Sequence, residues 1–158
     1  MTKYIIGVDP GINGAIAILT PAGELVQVFD MPCIEAKVGK SIKRKVSPEL
    51  IASELRLYSD ACACVERVNA MPGQGVASSF GFGESFGLVR GVLAAMQIPT
   101  QLVSPVVWKK SFGLSSLKDA SRAKAIQFWP ASAGEFKRVK DADRAEAALL
   151  AKWLISSK

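Results

Sequence analysis

Tyr4-Ile5-Ile6-Gly7-Val8-Asp9-Pro10-Gly11 is the stretch whose reading decides the fold. Ile5, Ile6 and Val8 make a short, largely β-branched run that suits a strand buried on both faces. Pro10 and Gly11 end the pairing and turn the chain, which places Asp9 where a buried strand stops. A carboxylate there is costly unless something cationic meets it. A turn-forming aspartate would account for Asp9 alone. The pattern recurs, however. Ala61 to Glu66 is a second small, apolar run closed by an acid, and Asp141, Asp143 and Glu146 form a late acidic group.

Outward from the first strand, Gly14 to Thr20 and Leu25 to Phe29 read as two more strands, joined by a turn at Pro21 to Glu24. Such short connections predict an antiparallel meander. Met31 to Val46 reads as a basic loop carrying Lys37, Lys40, Lys43, Arg44 and Lys45, an arm suited to phosphates. Ser47-Pro48-Glu49 starts a helix that runs to about Tyr58: an N-cap, a proline in the first turn, then an acid favoured by the helix dipole. Ala61 to Glu66 follows as a fourth strand. Asn69 to Gly87 mixes glycines with Phe80, Phe82 and Phe86 and reads as a glycine-rich loop entering a helix. Gly87 and Gly91 would then allow close packing on the sheet or on a second subunit.

Thr100 to Val103 is a fifth short strand, and Ser104-Pro105 repeats the helix start, with Trp108, Lys109 and Lys110 behind it. Lys118 to Trp129 is a helix with Lys118, Arg122 and Lys124 exposed, and Pro130 stops it. A last helix runs from about Asp141 to Ile155. The order βββ-α-β-α-β-α with a late helix is α/β.

The chain has 158 residues, which predicts one domain over 1–158, and 49% of them are apolar, enough for a core. No apolar run approaches the ~20 residues of a membrane helix, and Met1-Thr2-Lys3 leading straight into strand is not a signal peptide, so a soluble intracellular protein is expected. The net charge of +6 and pI of about 9.4 favour a polyanionic partner. There is no histidine, which excludes histidine-based triads and the usual zinc sites. Cys33, Cys62 and Cys64 are an odd number without a secretory signal, and Cys62 and Cys64 read as small core residues of a strand. Carboxylates, lysine and bound metal remain as catalytic means.

Asp143 and Glu146 are three residues apart and share one helical face at the N-terminal end of the last helix. Ala147, Leu150, Ala151 and Leu154 continue near that side, so the acids point toward the body of the protein. With Asp9 and Glu66 they could converge on one pocket. Oxygen ligands at that density suit Mg²⁺, with Mn²⁺ as a substitute. Two such ions ~4 Å apart can activate water and stabilise the leaving oxygen of a phosphodiester.

Taken in order, these motifs resemble the RuvC-type Holliday-junction resolvases of the ribonuclease H-like superfamily. Ile6-Gly7-Val8-Asp9-Pro10-Gly11 resembles the first motif, Val65-Glu66-Arg67-Val68 the second, and Asp143-Arg144-Ala145-Glu146-Ala147 the C-terminal acid pair. Gly81-Phe82-Gly83, Ser104-Pro105-Val106-Val107-Trp108-Lys109-Lys110 and Arg144-Ala145-Glu146-Ala147 are similar to phage-type and plant-organellar members. The resemblance implies a five-stranded mixed sheet flanked by helices, a homodimer, and symmetric Mg²⁺-dependent nicking of a four-way DNA junction; a cytoplasmic, nucleoid-associated location is expected for a bacterial or phage-encoded chain. It implies Asp9, Glu66, Asp143 and Glu146 as ligands of two ions, with Asp141 as the alternate for Asp143. Lys43, Arg44, Lys45, Lys109, Lys110, Lys118 and Arg122 would hold backbone phosphates, and Phe80 or Phe82 would stack on opened bases. A related nuclease acting on RNA–DNA hybrids or other branched DNA, and a non-catalytic junction-binding protein, are the competing functions.

Overall fold

The computed structural model describes residues 1–158. In chain order it contains β1 (Tyr4–Asp9), β2 (Ala15–Leu19), β3 (Leu25–Asp30), β4 (Cys33–Val38), β5 (Ser41–Val46), α1 (Pro48–Leu55), β6 (Ala61–Glu66), α2 (Val76–Ala95), β7 (Thr100–Val103), α3 (Pro105–Ser111), α4 (Lys118–Phe128) and α5 (Ala142–Ser156). Five strands form one mixed sheet in the order β3-β2-β1-β6-β7. The predicted meander is its antiparallel half, and β1, β6 and β7 run parallel. β1 is central, which is why its apolar residues are buried on both sides.

Alternation along β1 sorts its side chains between two cores. Ile6 and Val8 join Ile51 of α1 and Val89 and Leu93 of α2. Ile5 faces the other way, into a core built with α5, Trp108 and Phe136. Gly7 shares Ile5's face, and α5 lies directly on it. A Cβ at Gly7 would fall 2.0 Å from the Ala147 carbonyl oxygen and 2.6 Å from the Ala151 nitrogen. Glycine is therefore required for α5 to approach this closely. Asp9, next on the same face, is carried to the N-terminal end of α5, where Asp143 and Glu146 stand. The register pairs Ile5 with Cys62 and Gly7 with Cys64, so one step further brings Glu66 alongside Asp9.

α5 is buried almost all round. Ala145, Ala147, Ala148, Leu149, Leu150 and Ala151 are wholly inaccessible. The helix is enclosed by the sheet and α4, the position of a helix without a polar face. Truncating Leu149 or Leu150 to Ala would cost about 2–5 kcal/mol. α1 starts as its sequence predicts, with Ser47 Oγ accepting from Leu50 N at 3.2 Å and Pro48 in the first turn. It ends at Leu55, and Arg56–Tyr58 tighten into a 3-10 turn.

Three expectations are corrected. Met31 to Val46 is not a loop: β4 and β5 pair antiparallel in a hairpin of their own, turning at Gly39 with φ +61°. The helix behind Glu66 starts at Val76, so most of the glycine-rich stretch is helical despite a cost of about 1 kcal/mol for each helical glycine. Gly87 and Gly91 do not pack on the sheet, since nothing lies within 4 Å of a Cβ built on either.

Candidate active site

Asp9, Asp143 and Glu146 converge: each offers a carboxylate oxygen, and these atoms lie within 4.8 Å of one another. The site therefore joins the C-terminal end of β1 to the first two turns of α5. Glu66, at the end of β6, stands outside this trio but lines the same cavity of about 810 Å³. Its Oε2 accepts a hydrogen bond from Trp108 Nε1 at 2.7 Å. Trp108 is fully buried, and a buried indole N–H needs an acceptor. The second carboxylate oxygen of Glu66 makes no hydrogen bond to the protein. Sequence reading placed Trp108 on its helix but gave it no role, because nothing local pairs it with a residue 42 positions away.

Burial raises the pKa of Asp9 well above the usual aspartate range, and the charges of Glu66, Glu146 and Asp143 raise it further. Glu66 is also raised, by burial first; the Trp108 hydrogen bond works in the opposite direction. Two ammonium groups balance part of this negative charge. Lys118 Nζ lies 2.8 Å from Asp143 Oδ1, and Lys109 Nζ lies 3.1 Å from Glu146 Oε1. Ser121 Oγ donates to Glu146 Oε1 at 3.4 Å. Burial tends to lower the pKa of Lys118, but its hydrogen bond to Asp143 and the surrounding carboxylates raise it overall. A donor set of carboxylate oxygens alone, short of positive charge, fits a hard divalent cation such as Mg²⁺ or Mn²⁺.

Asp141 is elsewhere. Its carboxylate is enclosed by Arg138, which donates from its backbone N at 2.8 Å, from Nε at 3.1 Å and from an Nη at 2.9 Å. Burial would raise its pKa, but these bonds hold it below the ordinary value. As the alternate ligand it is corrected: it clamps the turn before α5 and does not line the cavity. Arg144 braces the same end of α5, donating to Asp30 Oδ1 and Glu135 Oε2, both at 2.7 Å.

The expected DNA contacts divide. Lys43, Arg44 and Lys45 reach the cavity from the hairpin. Arg44 donates to the Ile12 carbonyl at 3.2 Å, and Lys45 pairs with Glu84 at 3.5 Å, which ties the hairpin to the β1–β2 loop and to α2. Phe80 and Phe82 occupy the start of α2, 73% and 42% exposed, and both line the cavity. Phe86 packs half-buried against the core. Lys109 and Lys118 face the acids. Lys110 is exposed and outside the cavity. Arg122, expected on the open surface, is mostly covered and is held by Asp119 and the Lys137 carbonyl. Lys124 is half-buried and lies over the Phe128 ring.

No family model matches the chain, and no curated protein does. Solved structures do match. Thermus thermophilus RuvC superposes with a TM-score of 0.57 at 14% identity, covering 98% of this chain and 96% of that one. The structure of T. thermophilus RuvC in complex with Holliday junction substrate gives a TM-score of 0.60 at 14% identity, covering 96% and 94%. The chain has the fold of RuvC. The five-stranded mixed sheet flanked by helices is thus ribonuclease H-like, as the motif resemblance implied. The RuvC likeness extends end to end, so no element of this chain is a large addition to that fold.

Proposed function

We propose that this chain is a divalent-metal-dependent endonuclease that resolves four-way DNA junctions as a homodimer, one nuclease domain per chain. The observation that carries the reading is the convergence of Asp9, Asp143 and Glu146, with Glu66 beside them, in a basic-rimmed cavity on a RuvC fold. Those four carboxylates would hold up to two Mg²⁺ ions. When bound, the ions supply an activated water and stabilise the leaving oxygen of the phosphodiester.

The other steps belong to the protein. Trp108 fixes one oxygen of Glu66 and leaves the other free to face the cavity. Lys43, Arg44 and Lys45 hold backbone phosphates over the acids, fixing position without reading sequence. Phe80, with Phe82 behind it, stacks on bases that lose their partners where a junction opens. The like charge around Asp9 costs stability without a cation. That cost favours a metal-binding role over mere junction binding, because buried unpaired acids bring a passive binder no benefit.

Purified protein offered a mobile four-way junction and an RNA–DNA hybrid, with and without Mg²⁺, tests this. Paired nicks in the junction only with Mg²⁺ are expected. Preferential cutting of the hybrid would move the function to another ribonuclease H-like nuclease, and binding without cutting would leave a junction-binding protein.

A further inference from the structure

Two lysines sit on the oxygens that a metal would need. Lys109 Nζ is 3.1 Å from Glu146 Oε1 and Lys118 Nζ is 2.8 Å from Asp143 Oδ1. They come from different helices, α3 and α4, and both line the cavity. Glu146 is 6% exposed and has no other ion pair. Within the acid cluster, the four carboxylates of Asp9, Glu66, Asp143 and Glu146 face two ammonium groups at close range, which leaves the cluster itself formally negative inside a cavity whose rim is basic. An ammonium is a single charge on a flexible four-carbon stem, able to leave without disturbing the backbone. A divalent ion needs the same oxygens at much shorter range, and two cations on one carboxylate repel.

We infer that Lys109 and Lys118 are placeholder cations: they hold the acid cluster together when metal is absent, divalent ions evict them, and the freed ammonium groups then face the phosphate backbone. Metal loading and nucleic-acid grip are thereby coupled, and by linkage each strengthens the other. The inference rests on the metal-site reading above. It goes beyond it by assigning the two lysines different partners in the empty and loaded states.

Two measurements on the full chain without nucleic acid test this. The first is calorimetric titration of Mn²⁺ into the wild type and into Lys109→Gln, Lys118→Gln and Lys137→Gln. Lys137 is exposed and lies outside the cavity, so it controls for net charge. Lys109→Gln and Lys118→Gln should bind Mn²⁺ about ten-fold tighter, and Lys137→Gln should bind like the wild type. The second is labelling of wild-type amines by an acylating reagent, read by mass spectrometry. Saturating Mg²⁺ should raise labelling of Lys109 and Lys118 and leave Lys110 unchanged. This arm does not depend on any variant folding. Unchanged or weaker Mn²⁺ binding by both acid-bound lysine variants, an equal gain in Lys137→Gln, or labelling indifferent to Mg²⁺ would each overturn the exchange. A wild type that binds Mn²⁺ but fails these tests loses only this inference. A wild type that binds no Mn²⁺ loses the metal site as well.

Discussion

Asp9 and Asp141 are both buried aspartates near the start of α5, and they live under opposite electrostatics. Asp9 is surrounded by carboxylates and its pKa is pushed up. Asp141 is wrapped by Arg138 and its pKa is held down. An acid provided with its own cation serves the fold. An acid buried among other acids makes the fold worse, and is intelligible only if a cation arrives from outside. Burial alone does not separate the two; the neighbouring charges do.

The largest effect that could break this contrast is on catalysis. Asp9→Asn and Glu146→Gln keep shape but remove charge a metal needs, and each should slow Mg²⁺-dependent junction cleavage by about a hundred-fold or more. Asp141→Asn should leave the cleavage rate of the folded protein close to wild type. Single-turnover cleavage checks all three, and a dead Asp141→Asn that is still folded would return Asp141 to the site.

Trp108→Phe comes next. It keeps the ring in the core but frees the Glu66 oxygen, and losing such a supporting bond commonly costs ~10–100-fold in metal affinity or activity. Because that bond lowers the Glu66 pKa, the acid limb of the pH–rate profile should also move to higher pH. A rate loss with an unmoved profile would make Trp108 a packing residue only.

On stability the two aspartates should respond to pH with opposite signs. Asp141 has a lowered folded pKa, so its stabilisation is full above about pH 3.9 and is lost as pH falls through that folded value. The melting-temperature deficit of Asp141→Asn should therefore shrink on acidification. Asp9 has a raised folded pKa, so its contribution favours the fold below about pH 3.9 and is lost as pH rises through the raised value. Metal-free Asp9→Asn should melt above the wild type at neutral pH, with the gap closing in acid. Each kcal/mol moves the melting temperature by roughly 2–4 °C in a chain of this size.

The smallest effect concerns the hairpin. Removing one phosphate contact, as in Lys43→Gln, should reduce the slope of log affinity against log salt by about 0.9, uniformly across junction sequences. An unchanged slope would remove Lys43 from the interface.

The strands were legible in the sequence as short apolar runs; the mixed five-stranded sheet came from the motif resemblance, because strand order is a long-range property that no local pattern encodes. Three-residue spacing put Asp143 and Glu146 on one face of α5. Asp141 could not be separated from Asp143 that way, since the deciding partner, Arg138, acts through a backbone turn that spacing does not encode. The β4–β5 hairpin was masked by the charge of Lys37, Lys43, Arg44 and Lys45, although Ile34, Ala36 and Val38 alternate with Glu35 and Lys37 along β4 and did carry a strand signal. α2 was read as a loop at its start because glycine disfavours helix, while Ser85, Val89, Val92 and Leu93 bury enough to override that preference. The Trp108–Glu66 bond spans two elements, and no local pattern announces it.

Gly7 carries a consequence for anyone who maps this protein by random mutation. It bears no charge, touches no substrate and sits mid-strand, yet its missing Cβ sets the spacing between β1 and α5. Any larger residue would pry the helix off the sheet like a wedge under a lid, and Glu146, one residue before the contact, would travel with it. Loss of cutting would then appear at a position with no chemistry of its own, and no smaller side chain on α5 would restore it, because the wedge meets the helix backbone at Ala147 and Ala151.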